Sequence, residues 1–534
     1  MLNQENIDVL SSAKTMPVNA NKQNDSAKFN IVLVSLYNTE SYSVRTLHAA
    51  LAKAGFNVTT LFFKERGPNN TYNKCSPREI EFLAEQIIHF DPAMVGISVM
   101  SAFFELASEI TKKIKMQSPA LVLWGGIHPT IRPDQCLSVA DAVCLGEGEK
   151  AIVELAEKAS RGYKIDDIKN LWVKTEQGIL KNDLNSLIPN LDSIPFPDYS
   201  VNNKYIIEDS GITPCDYDQV MSKFGMNFMT SRGCPFSCTY CVNGILRKIY
   251  KNKGSYVRQR SVDNVINELD YLKKNFNLAH IRFEDDVFAC NFNFDWIDEF
   301  CEKYKKMINL PFSCYFHPKT TDERMVRLLK DAGLTHVSFG IQSGSEKIRH
   351  SYFKRFDTNQ EIIKTANIIA QSGISYSCDI LMENPLEKNE DRRETLSLLL
   401  QLPKPFFVNT HTLTHFPEYE LTNCLLANKL ISEDDVEDVR KESFEHNRWN
   451  PYLDASRDPT NMLWSCLYHL ASKKSFLSDK KIVQLSHSRI LRRFPVFLLL
   501  LLKYWPALSS LKSWTGIKSF LYRVIKKCSQ KIKC

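Results

Sequence analysis

The chain has 534 residues, 43% hydrophobic and 24% charged, a globular composition too long for one ordinary core, so two or three domains are expected. Its formal net charge of +7 is unevenly placed: thirteen of the 68 Lys and Arg and none of the 61 Asp and Glu lie between Lys480 and Cys534, which leaves the rest slightly acidic and excludes a basic nucleic-acid face across the whole protein. Fifteen cysteines, an odd number, with no recognisable secretory signal point to reduced thiols and metal ligands in the cytoplasm and not to a disulfide framework.

Met1 to Lys28 is rich in Asn, Ser, Gln and Lys and reads as a disordered tail, residues 1–28. Strand and helix patterns then alternate. Asn30 to Leu36 reads as a strand, Ser43 to Ala54 as a helix closed by Gly55, and Phe56 to Phe63 as a second strand. Met94 to Val99, Ala120 to Trp124 and Ala142 to Leu145 are further apolar runs, separated by helical stretches such as Phe104 to Met116 and Glu149 to Ser160. A doubly wound parallel sheet over 29–162 is expected, with ligands at the carboxyl ends of its strands. Those ends carry Gly125-Gly-Ile-His-Pro-Thr130 and Gly146-Glu-Gly-Glu149, whose glycines suit either close approach to a ligand or simple tight turns. Over 163–225 the pattern loosens around Ile194-Pro-Phe-Pro-Asp198, and the stretch reads as a linker.

A second series begins with the strand Asn227 to Ser231, followed by a cysteine loop and the helix Val262 to Asn275. Strands Ile281 to Glu284, His336 to Gly340 and Tyr376 to Met382 alternate with helices Glu323 to Ala332, Gln360 to Gln371 and Asp391 to Leu402. This predicts a partial or full α/β barrel over 226–430, with its chemistry at the strand carboxyl ends. Residues 431–534 read as helical and basic. Their run Phe494-Pro-Val-Phe-Leu-Leu-Leu-Leu-Leu502 is far short of the roughly 20 apolar residues of a spanning helix and suits either a small bundle or peripheral contact with a membrane.

The chemistry is concentrated in Thr230-Ser-Arg-Gly-Cys-Pro-Phe-Ser-Cys-Thr-Tyr-Cys-Val-Asn-Gly244. Thiolates at Cys234, Cys238 and Cys241 would each hold one iron of a cubane and leave the fourth iron open. A zinc site would prefer four protein ligands. This Cys-x-x-x-Cys-x-x-Cys loop, with Tyr240 before its last cysteine, resembles the radical S-adenosylmethionine superfamily. The resemblance implies a 4Fe-4S cluster on the three cysteines, reductive cleavage of S-adenosylmethionine to methionine and a 5′-deoxyadenosyl radical, and an electron donor such as flavodoxin or ferredoxin. Ile281-Arg-Phe-Glu-Asp-Asp-Val-Phe288 is similar to the acidic strand end that meets the methionine amino group, which implies contacts from Glu284 and Asp285. Phe339-Gly-Ile-Gln-Ser-Gly-Ser-Glu346 is similar to the segment contacting ribose and carboxylate, with Gln342 where Glu is usual and Ser343 beside it. Asp379-Ile-Leu-Met-Glu-Asn-Pro385 resembles the adenine-contacting strand, with Glu383-Asn384 where a Gly is typical.

Upstream, the two glycine loops and the connector Leu191-Asp-Ser-Ile-Pro-Phe-Pro-Asp-Tyr199 resemble the cobalamin-binding-domain members of that superfamily. The combined resemblance runs from about Phe29 to Leu430. It implies an N-terminal Rossmann-like cobalamin-binding-type domain with Gly125, Gly126, His128, Gly146, Glu147 and Gly148 near the corrinoid. Leu36-Tyr-Asn-Thr-Glu-Ser-Tyr42 lacks the His of an Asp-x-His-x-x-Gly lower ligand, so cobalamin bound without a protein imidazole is implied, against a vestigial domain that only packs.

Other residues have two readings. His128 suits corrin approach or a structural role, and Arg258 and Arg260 suit cofactor orientation or salt bridging. Cys290, Cys301, Cys314 and Cys378 read as buried thiols, with Cys314 and His317 also placed for substrate contact at a strand end, while Lys354 and Arg355 read as a solvated face. The expected activity is cobalamin-dependent methylation of an unactivated carbon in a small-molecule or lipid substrate. Its rival is oxidative cyclisation or rearrangement of the magnesium-protoporphyrin ester cyclase type. An iron–sulfur RNA-modification factor is disfavoured, since no RNA-binding appendage motif is recognised.

Overall fold

The computed structural model describes residues 29–65, 72–290, 293–438, 458–473, 477–488 and 490–491. The expected tail 1–28, the leucine run and nearly all of the basic C-terminal segment lie outside these residues.

The first unit is a nine-stranded sheet in the order β7-β6-β5-β4-β3-β1-β2-β8-β9. Its strands are β1 (Asn30–Leu36), β2 (Asn57–Phe63), β3 (Met94–Ser98), β4 (Leu121–Gly125), β5 (Ala142–Cys144), β6 (Leu171–Thr175), β7 (Gly178–Lys181), β8 (Lys204–Glu208) and β9 (Gly211–Pro214). The six central strands from β5 to β8 are parallel, and an antiparallel strand or pair finishes each edge. Strand β1 is apolar without alternation because both of its faces are covered. Val32 and Val34 pack with α2 (Pro77–His89) and α3 (Phe104–Gln117), while Ile31 and Leu33 pack with α1 (Tyr42–Lys53) and α6 (Glu149–Ser160). Between them, α4 (Ile127–Ile131) and α5 (Pro133–Leu137) are short turns after β4.

The stretch expected to be a linker is a correction. It supplies β6 to β9, the segment 182–203 that crosses from one edge of the sheet to the other, and α7 (Tyr217–Phe224). These strands are short and carry charged and exposed residues, so they lack the apolar runs that marked β1 to β5.

The second unit is a six-stranded parallel sheet in the order β10-β13-β14-β15-β16-β17, the partial barrel expected. It consists of β10 (Met226–Phe228), β13 (Ile281–Phe283), β14 (Phe312–Phe316), β15 (Leu334–Gln342), β16 (Ser375–Met382) and β17 (Phe407–Thr412). A separate antiparallel pair, β11 (Ser231–Arg232) and β12 (Arg258–Gln259), stands at the root of the cysteine loop. Helices α8 (Val242–Ile249), α9 (Val262–Asn275), α10 (Phe294–Lys303), α11 (Glu323–Ala332), α12 (Asn359–Gln371), α13 (Asn389–Gln401) and α14 (Glu420–Ala427) complete the connections. The C-terminal helix Pro459–Ser472 is part of this body. It buries Leu463, Trp464 and Leu467 in the barrel's core, and Trp464 Nε1 donates to Asn389 Oδ1 at 3.1 Å.

Candidate functional site

Gly233, at φ +88, turns the chain from β11 into the cysteine loop, and a Cβ there would stand 2.2 Å from the Tyr256 carbonyl oxygen. The loop is pinned from several sides. The Thr239 N–H donates to Phe353 O at 3.1 Å, its hydroxyl to Tyr352 O at 2.6 Å, and Arg247 Nη1 to Cys234 O at 2.8 Å. Cys241 is the N-cap of α8, where the helix dipole favours a thiolate. Burial pushes the Cys234 thiol up to about 12 and raises Cys241 as well, with the neighbouring thiols and Asp286 acting in the same direction. Loading these thiols with metal must displace protons. Among the described residues no three His, Cys, Asp or Glu side chains converge on a single metal ion. Three thiols on one loop suit a cluster, in which each meets a different iron, better than a four-ligand zinc site.

The loop's aromatic residues extend its support. Phe236 stacks on His317 with ring centroids 3.7 Å apart, and Tyr240 meets Phe353 edge-on at 4.9 Å. Arg355, expected on a solvated face, is buried. Its Nε lies 2.9 Å from Asp357 Oδ1, and its Nη1 donates to the Tyr240 hydroxyl at 3.5 Å.

The two carboxylates expected at the methionine amino group diverge. Glu284 stays half-buried at the end of β13, with Oε1 3.1 Å from Arg282 Nε. Asp285 turns inward: its Oδ1 accepts the Thr230 N–H and hydroxyl, both at 3.0 Å, and the Ser231 hydroxyl, so it fixes the root of the cysteine loop. Asp286, the next residue, lies nearer the cysteines. It accepts Asn243 Nδ2 at 3.0 Å, and that amide lies 3.7 Å from Cys241 Sγ.

Gln342 ends β15 at φ +68, with its Oε1 buried and free of hydrogen bonds. Ser343 is fully buried and donates to Glu387, just before α13, while Ser345 donates to Asp391 within that helix. Glu383 adopts φ +60, the left-handed conformation of the glycine whose place it takes. Cys314 and Cys378 face the helical core, so Cys314 does not reach the barrel's inner face.

The glycine loops of the first sheet meet the cysteine loop directly. Gly146 leaves room for Tyr250, whose hydroxyl accepts the Glu147 N–H at 2.9 Å. Glu147 Oε1 lies 2.9 Å from Arg258 Nη2 and 3.1 Å from Arg232 Nη1, while Arg232 Nη2 reaches Glu149 at 2.5 Å. Although burial opposes it, Arg258, the Ile188 N–H and Arg232 hold the Glu147 carboxyl below its usual range. Glu147 thus latches the first sheet's loop to the β11–β12 pair, and Arg258 is salt-bridged to it. Arg260 is likewise taken up by Glu268, at 2.5 Å. His128 is buried, with Nδ1 2.9 Å from Ser101 Oγ and its ring 5.1 Å from Phe104, so it supports the loop from inside. Gly125 and Gly126 join β4 to α4, and Gly148 caps α6. The loop after β1 has no His and sends Glu40 across to Asn227 and Arg282 of the barrel. A small cleft lined by Tyr42, Ile194, Phe196, Met229, Arg232 and Arg260 opens between the two units.

A three-thiol loop held against the carboxyl ends of a corrinoid-type sheet and a partial barrel defines a class, the iron–sulfur radical enzymes that also carry a cobalamin domain. The Radical SAM superfamily profile matches residues 228–399, and the B12 binding domain profile matches residues 30–156. The chain belongs to the cobalamin-binding-domain radical S-adenosylmethionine enzymes, whose cofactors are a 4Fe-4S cluster, S-adenosylmethionine and cobalamin. It is 29% identical over 358 residues to the uncharacterised methyltransferase PH0819 of Pyrococcus horikoshii, covering 65% of this chain and 72% of that one. It is 26% identical over 300 residues to the cytidylyl-2-hydroxyethylphosphonate methyltransferase of Streptomyces wedmorensis, covering 50% of this chain and about half, 53%, of the relative. The solved structure of OxsB, a cobalamin-dependent S-adenosylmethionine radical enzyme with aqua-cobalamin and S-adenosylmethionine bound, aligns with a TM-score of 0.62 and 18% identity over 94% of this chain and 75% of that chain. That likeness is one of fold.

Proposed function

We propose that the protein methylates an unactivated carbon of a small molecule. When bound, the cluster and S-adenosylmethionine supply a hydrogen-abstracting 5′-deoxyadenosyl radical, and cobalamin supplies the methyl group. Cys234, Cys238 and Cys241 hold the cluster, Tyr240 and Arg355 back its loop, and Glu284, Asp286 and Gln342 lie around the position expected for S-adenosylmethionine. The loops at Gly125–Gly126 and Gly146–Gly148 border the expected corrinoid site. The observation that carries the reading is the ion pairing of Glu147 and Glu149 with Arg232, two residues before Cys234. Methylation needs radical source and methyl source to serve one carbon, and this latch ties the loops that would hold them.

The test is anaerobic reconstitution with cobalamin and a reducing donor such as flavodoxin or ferredoxin. S-adenosylhomocysteine should accumulate alongside 5′-deoxyadenosine, and replacing all three cysteines by Ala should abolish both together with the iron–sulfur absorbance. Deoxyadenosine without S-adenosylhomocysteine would replace methylation by oxidative cyclisation or rearrangement. Full cluster retention in the triple variant would overturn the site itself. The reading also places the enzyme in the cytoplasm, with peripheral membrane contact through the basic segment 480–534.

A further inference from the structure

We infer that the barrel binds a water-soluble, amine-bearing substrate anchored by Asp379, and not a lipid; this rests on the proposed radical methylation at the same site. Strand alternation decides which residues line the barrel. On β14 to β16, Phe312, Cys314, Val337, Phe339, Tyr376 and Cys378 point outward into the helical core. The intervening positions face inward, and at the registered heights they bring together Tyr315, His336, Ser338, Ser377, Asp379 and Asn409. Leu381 and Phe407 are the aliphatic or phenyl side chains among the inner positions of β14 to β17. A pocket for an acyl or isoprenoid chain is lined by apolar side chains, and covering this polar surface with hydrocarbon would leave its groups without water.

Part of the polar face satisfies itself. His336 lies 2.9 Å from Ser375 Oγ through Nδ1 and 3.2 Å from Ser377 Oγ through Nε2, and Ser338 and Ser377 are 2.7 Å apart. Arg282 is matched by Glu284 at 3.1 Å and by Glu40 at 3.8 Å. Among the described residues Asp379 has no Lys or Arg partner, and the one basic side chain paired with it is the His411 imidazole. Asp379 Oδ1 accepts Asn409 Nδ2 at 2.9 Å and lies 3.5 Å from His411 Nε2, while Oδ2 accepts no hydrogen bond and the side chain is 19% exposed. A half-satisfied carboxylate in a sheltered site favours a charged donor. Among the described residues the Tyr315 side chain is partly exposed, and its hydroxyl has no hydrogen-bond partner either. Burial, then Glu284 and Asp379, push it up to about 12, so it is a neutral hydroxyl beside the same space.

The full-chain holoenzyme can be given S-adenosylmethionine with a deuterated methyl group and three extract fractions: polar solutes retained on a cation exchanger, polar solutes that flow through, and chloroform-soluble lipids. Mass spectrometry should find the label in the retained polar fraction. In Asp379→Asn the ratio of label to 5′-deoxyadenosine should fall about tenfold, and Asp379→Glu should restore part of it. Label in the lipid or flow-through fraction, or an undiminished ratio in folded Asp379→Asn, overturns the inference. Deoxyadenosine formed with no label in any fraction defeats the methylation reading, and this inference falls with it.

Discussion

The Tyr250 hydroxyl fills the space where any side chain at residue 146 would begin. A Cβ there would stand 1.6 Å from its oxygen, on a backbone at φ +69. Gly146→Ala combines that clash with left-handed strain of about 1–2 kcal/mol, and circular dichroism should show a melting temperature lower by several degrees. Adding Tyr250→Ala should remove the steric part and leave the backbone part. Glu383 presents the reverse case, because it already bears the strain of φ +60. Glu383→Gly should leave stability unchanged or raise it by up to about 1 kcal/mol in denaturant unfolding. At this scale the cysteines were legible because their identity and local spacing carry the chemistry. Which of Asp285 and Asp286 faces the cysteines was not, since strand alternation stops at Phe283 and the tie to Thr230 comes from another element. Arg355 read as exposed because it follows Lys354, but Lys354 at φ +50 reverses the chain and turns its neighbour inward.

Among the elements, the latch between the loop after β5 and the β11–β12 pair should matter for stability. Glu147→Gln removes the shared partner of Arg232 and Arg258, whose side chains are 23% and 7% exposed. The expected loss is roughly 1–3 kcal/mol, less than for a fully dry pair, and a denaturant double-mutant cycle with Arg258→Met should reveal coupling between the two. A second contact, between α1 and β8, carries a pH dependence. Burial and then the adjacent Lys204 hold the His48 imidazole down to about 4, with Asp198 acting in the opposite direction. The folded state binds this proton less readily than the unfolded chain, whose His titrates near 6.5. The contribution is therefore complete above about pH 6.5 and declines as pH falls toward 4. The loss of stability between pH 7 and 5 should shrink in His48→Gln, read by urea midpoints. Sequence patterns located β1 to β5 and the barrel helices α9, α11, α12 and α13 to within a residue or two because apolar runs and 3.6-residue spacing mark them, whereas α8, α10, α14, β14 and β17 were not picked out. Helix α2 was overlooked although Ser76-Pro-Arg-Glu79 forms a capping box with Pro at the first turn, a signal present in the sequence.

For the whole molecule, the two sheets were legible from alternating strand and helix patterns, whereas the union of the presumed linker with the first sheet depends on long-range pairing that no local pattern records. Among the described residues no helix is long and apolar enough to cross a membrane. The thirteen positive charges after residue 479 give a separate expectation. Each basic side chain near an anionic surface contributes about 1 kcal/mol, so full-length protein should float with anionic liposomes at low salt and be released at high salt. Truncation before Lys480 should abolish flotation, and protein that stays at the bottom at every salt concentration would exclude the contact.

The route of 182–203 across the first sheet also sets an order of assembly during translation. Until β6 and β8 have been made, β5 and β2 are open edges, exposed to pairing with other chains. The strand that covers β2, β8, ends at Glu208, beyond the residues matched by the B12 binding domain profile, so a nascent chain stopped at residue 162 has a sheet with two unpaired borders. At roughly 5–20 residues per second, the ribosome leaves those borders bare for several seconds. A fragment of residues 29–162 should accordingly aggregate on expression, whereas 29–225, which brings both closing strands, should remain in solution on gel filtration.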